Sequence, residues 1–80
     1  MPEVFRERGF RLFFYSNEGY PREPVHIHVE KDNVEAKFWL EPELRVAYND
    51  GYDARKLREL LEIVENNKER IERTWNEFFR

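Results

Sequence analysis

Cysteine and glutamine are absent from the 80 residues, methionine occurs once, and glycine only three times. Without cysteine there are no disulfides, no thiolate metal sites and no cysteine nucleophile. The few glycines form no phosphate-cradling loop, and no Ser/His/Asp set accompanies the two histidines. There is no apolar run long enough to span a bilayer and no basic-then-apolar leader. Neither a membrane segment nor a secretory signal is expected, and the cytoplasm is the expected compartment. Positive charge is not in excess: 14 Lys and Arg stand against 17 Asp and Glu, a formal net charge of −3. That balance argues against a nucleic-acid binder acting alone. The length suits a single domain over residues 1–80, with strands in 1–50 and helix in 51–80.

What the chain does have is aromatic residues: seven Phe, four Tyr and two Trp. A few large side chains can build a core in a short chain, so the sequence reads as folded. Its first part alternates with period two and its last part repeats near 3.6, which predicts an α+β fold. The predicted architecture is a mostly antiparallel sheet of about five strands, with a C-terminal helical segment packed on one face. Val4 to Arg8 and Phe10 to Ser16 are the first two predicted strands, joined through Gly9. Asn17 to Pro24 is the main loop. Val25 to Lys31 and Val34 to Leu40 flank a two-residue turn at Asp32-Asn33, and Leu44 to Tyr48 forms a fifth strand.

Asp53 is placed to cap a helix whose apolar stripe runs through Leu57, Leu60, Leu61, Val64, Ile71, Trp75, Phe78 and Phe79. An unbroken helix from Asp53 to Arg80 would measure ~42 Å against strands of ~20 Å. A break at Asn66-Asn67 is therefore expected, with Asn67 capping a second helix and the terminal aromatics folded back. The alternative is a projecting helix that would serve a homodimer or another partner.

If Val25, Ile27 and Val29 face the helices, then His26, His28 and Glu30 stand on the opposite face, ~6 to 7 Å apart along the strand. Phe13, Tyr15 and Trp39 share that face, with Arg11, Lys37 and Arg45 nearby. Contiguous aromatics with His and Arg on a flat sheet have the composition of an interface core. The predicted partner-binding set is Phe13, Tyr15, His26, His28, Glu30, Lys37 and Trp39, with no cofactor. Two alternatives use the same residues. His26, His28 and Glu30 supply donor types that suit a metal. His26 and His28 could act as acid and base near pH 7, as in ribonuclease chemistry. Glu18 or Glu23 could approach His26 from the loop.

Four segments carry a family resemblance: Met1-Pro2-Glu3-Val4, Phe13 to Asn17, Glu23-Pro24-Val25-His26-Ile27-His28-Val29, and Ala36-Lys37-Phe38-Trp39-Leu40-Glu41-Pro42. Together they resemble the small prokaryotic DUF4160 family of domains of unknown function. The resemblance spans nearly the whole chain and centres on Pro-x-His-x-His-Val. It implies no catalytic residues; His26, His28, Lys37 and Trp39 are the positions that match the motif. It implies a neighbouring gene for a second small protein, similar to toxin and antitoxin pairs, and so a protein partner encoded beside this one.

Overall fold

A computed structural model describes residues 3–19 and 23–79. Five strands form one antiparallel sheet in chain order: β1 (Glu3–Glu7), β2 (Phe10–Phe13), β3 (His26–Lys31), β4 (Val34–Trp39) and β5 (Arg45–Asn49). Two helices follow, α1 (Ala54–Asn66) and α2 (Lys68–Phe78). The fold is α+β, an open meander with helices at the C-terminal end.

Both tight hairpins turn through two residues with positive φ: Arg8 and Gly9 between β1 and β2, Asp32 and Asn33 between β3 and β4. Positive φ at both central positions suits the right-handed strand twist, and Asp and Asn tolerate it without glycine. β2 ends at Phe13, three residues before the expected Ser16. Phe14 leaves the strand to meet Trp75 of α2, ring centroids 5.1 Å apart, and the chain continues into a 3₁₀ turn at Ser16–Gly19. Tyr20 and the Glu18 side chain lie outside the described residues.

The helix breaks where the sequence predicts. The longest extent of the molecule, 34 Å, is shorter than the unbroken helix would be. Asp53 caps α1 by accepting the Lys56 amide at 2.8 Å. Asn67 occupies the N-cap position of α2 but does not cap it with its side chain. Its amide instead donates back to the Ile63 carbonyl at 2.8 Å and across to Glu7 at 3.3 Å, tying the elbow to β1. Trp75 is fully buried and Phe79 partly so, but Phe78 remains 45 % exposed. Folding back thus covers two of the three terminal aromatics.

The core lies between the sheet and the helices. Phe10, Leu12, Ile27, Val29, Ala36 and Phe38 from the strands meet Leu60, Ile63, Val64, Ile71 and Trp75. Ile63 belongs to this buried set although the predicted stripe omitted it.

Candidate functional site

The opposite face of the sheet is set by register. Phe13 pairs with His28, His28 with Lys37, His26 with Trp39, and Trp39 with Arg45. Residues directly opposite in an antiparallel pair share a face, so Phe13, His26, His28, Lys37, Trp39 and Arg45 stand together. Ring contacts bear this out: His28 lies 5.5 Å from Phe13, 4.5 Å from Tyr15 and 5.2 Å from His26, and His26 lies 5.3 Å from Trp39.

The two imidazoles, however, are not on an uncovered surface. His26 is 0 % and His28 2 % exposed, and Phe13 is also buried. His28 is enclosed by Phe13, Tyr15 and Tyr48. His26 packs against Trp75, 4.8 Å away, so α2 closes part of its surroundings. Phe13, His26 and His28, expected among the partner-binding residues, are the buried floor of the face. Its accessible layer comprises the half-buried Arg11, Tyr15, Glu30, Lys37 and Trp39 and the exposed Arg45 and Tyr48.

Burial of a polar ring demands partners. His26 Nδ1 lies 3.0 Å from the Pro24 carbonyl, which can only accept, so this nitrogen carries the hydrogen. Glu23 stands 3.9 Å from the same nitrogen and 3.6 Å from Lys37 Nζ. The loop carboxylate therefore does reach His26. His28 Nδ1 lies 3.2 Å from Glu35 Oε2 and 3.3 Å from the Tyr48 hydroxyl.

Glu35 is the hub. Tyr15 donates to its Oε1 at 2.9 Å, and Tyr48 donates to its Oε2. Burial alone would raise the Glu35 pKa, but hydrogen bonds from Tyr48 and Tyr15, with the charge and hydrogen bond of His28, together hold it below its ordinary value. Tyr48 moves the other way: burial first, then the hydrogen bond to Glu35 and the charge of that carboxylate, raise its pKa.

The predicted carboxylate was Glu30, yet Glu30 is held by Arg11 at 2.7 Å. Arg11 also lies 4.2 Å above the Phe13 ring. Among the described residues no group of three or more His, Asp or Glu side chains is placed to hold a metal. The His26, His28 and Glu30 metal set is therefore not assembled.

Glu35 could have been found from sequence. The two-residue turn sets Lys31 opposite Val34, which fixes Glu30 against Glu35 and puts Glu35 diagonal to His28. Tyr48 could not. Val46 pairs with Phe38 and Tyr48 with Lys37, so Ala47 is an extra residue, a β-bulge that turns Tyr48 to the histidine face.

Trp39 is bordered by cations, with Lys37 Nζ 4.2 Å and Arg45 6.0 Å from its ring. Two surface concavities lie elsewhere, one at the elbow around Asn66 and Asn67, the other beside Asp53 and Lys56. No helix is long and apolar enough to cross a membrane among the described residues.

No curated protein and no solved structure matches the chain. A family model does match, over residues 9–76, which begins at Gly9 in the first hairpin turn and takes in the whole histidine face and both helices up to Asn76. The chain belongs to DUF4160, a family described as a domain of unknown function.

Proposed function

We propose that this domain is a protein-interaction module of a two-gene, toxin and antitoxin-like system, which docks its partner through the sheet face opposite the helices. The partner is a small protein encoded by the neighbouring gene. The observation that supports this most is the layered construction of the face: imidazoles fixed by carbonyl and carboxylate acceptors below, and Tyr15, Lys37, Trp39, Arg45 and Tyr48 above. Aromatics and arginine on a rigid support are the residues that carry binding energy at interfaces. In this reading Tyr15, Lys37 and Trp39 contact the partner, and Phe13, His26 and His28 hold them in place.

Co-expression with the adjacent gene product followed by size-exclusion chromatography tests the reading. The unmodified pair should co-elute. The Lys37→Ala/Trp39→Ala double variant should elute alone while keeping its circular dichroism spectrum. Undiminished co-elution of the folded double variant contradicts it.

A second reading, a small histidine-dependent ribonuclease, draws on one feature: Glu35 orients His28 as a carboxylate orients a catalytic base. It predicts that His28→Ala erases RNA cleavage while partner binding persists. Burial of His28 under three aromatic rings favours the docking reading.

A further inference from the structure

The two edges of the sheet are built differently. β1 is guarded: Glu3 pairs with Arg6 at 2.9 Å, Arg8 reaches Glu59 of α1 at 3.3 Å, Glu7 accepts from Asn67, and Arg70 of α2 lies 4.5 Å from the Phe5 ring. Charged side chains and helix contacts of this kind keep an edge strand from pairing with another chain. β5 lacks them. It is the last strand of the sheet, and among the described residues no strand pairs with its outer edge. Among the described residues it holds two exposed large hydrophobics, Val46 and Tyr48, each 37 % exposed.

Charge decides what would pair there. Exposed carboxylates border β5 at both ends, Glu41 and Glu43 before it and Asp50 and Asp53 after it, and they outnumber the strand's one cation, Arg45. A second copy of this chain brings the same excess of carboxylates: antiparallel pairing of β5 with itself sets Glu43 near the other copy's Asp50 with Arg45 as the one cation of the strand beside them, and parallel pairing sets like residue against like. A segment with cations at both ends is complementary in either direction.

We propose that β5 is a docking edge for an extended segment of a partner protein, apolar in its middle and carrying Lys or Arg at each end, which adds a sixth strand to the sheet. This deepens the docking reading, on which it rests: the face holding Trp39 and Tyr48 continues to this edge, so one partner can engage both. Main-chain hydrogen bonds would supply affinity, and the flanking charges selectivity.

The test uses the full chain, labelled with ¹⁵N, and two synthetic peptides of alternating threonine and valine, one bracketed by lysine pairs and its twin by glutamate pairs. Titration with the lysine peptide should shift the amide signals of Arg45 to Asn49 and slow their hydrogen exchange. At low salt it should bind about tenfold more tightly than the glutamate twin, a gap that narrows as salt screens the flanking charges. Val46→Lys, on an exposed position, should abolish the shifts without altering the rest of the spectrum. Equal binding of the two peptides, absence of saturable binding, or shifts centred on β1 or the helices overturns the proposal. So does a concentration-dependent dimer in sedimentation that Val46→Lys dissolves, since the occupant would then be a second copy. Failure of the docking reading shows separately, as co-elution that survives Lys37→Ala/Trp39→Ala.

Discussion

Ile27 and His28 are adjacent on β3, point to opposite faces and are equally hidden from water, yet different forces hold them. Ile27 sits in an apolar layer with the helices and is stabilised by area removed from water. His28 sits beneath a thin layer of side chains and is stable there because Glu35 satisfies its ring and Tyr15 and Tyr48 satisfy Glu35. Apolar packing tolerates loss in proportion to volume, whereas a polar network fails when one member is left without its partner. The helix face explains why the chain folds. The histidine face has hydrogen-bonded order that a core does not need, and the proposed docking surface stands on it.

The largest expected effect is on the helix face. Phe38→Ala should cost about 3–5 kcal/mol in denaturant unfolding, enough to remove much of the stability of so small a domain. A cost under about 1 kcal/mol would place Phe38 outside the core. On the other face, His28→Ala should cost about 1–3 kcal/mol, because Glu35 loses a partner in a partly buried site. A double-mutant cycle of His28→Ala with Glu35→Ala should return a coupling of about 0.5–3 kcal/mol, and additive effects would show that the pair does not interact.

The faces should also differ with pH. Glu35 titrates below its ordinary value of 4.5 in the folded chain, so the folded state favours the carboxylate. Its contribution is complete above the unfolded pKa and is lost as pH falls through the lowered folded one. Tyr48 and Tyr52 are raised, by burial first, so their contribution is complete below about pH 10 and is lost as pH climbs towards their folded values. Glu35→Gln should therefore flatten part of the acid limb of a stability profile, and Tyr48→Phe part of the alkaline limb. Phe38→Leu should lower the whole curve without changing its slopes. The smallest effect belongs to the exposed rim: Arg45→Ala should change stability by no more than about 0.5 kcal/mol while weakening partner binding. A larger stability change would mark Arg45 as structural.

Much of the fold was legible because local chemistry and global packing agree. The alternation through Val25, Ile27 and Val29, the Asp32-Asn33 turn, the Asp53 cap and the Asn66-Asn67 break each follow from a short stretch of sequence. Two features did not follow from the local stretch: one strand end and one side-chain direction. β2 stops early because Phe14 is drawn to Trp75, sixty-one positions along the chain. Tyr48 reaches the histidine face because of a bulge at Ala47 that no periodicity announces. At the candidate site, alternation identified the face shared by His26, His28, Tyr15, Lys37 and Trp39, but not its depth. Whether an imidazole on a strand is exposed depends on what leans over it, here Tyr15, Tyr48 and Trp75, and two of those come from other strands or helices.

Under the docking proposal, amide hydrogen exchange of the chain, alone and mixed with the proposed partner from the neighbouring gene, compares the two sides of the sheet in one experiment. Protection should rise on complex formation at Lys37 to Trp39 and Arg45 to Asn49 and stay unchanged along α1 and α2. Added protection confined to the helices, with β4 and β5 exchanging as in the free chain, would contradict docking through the histidine face.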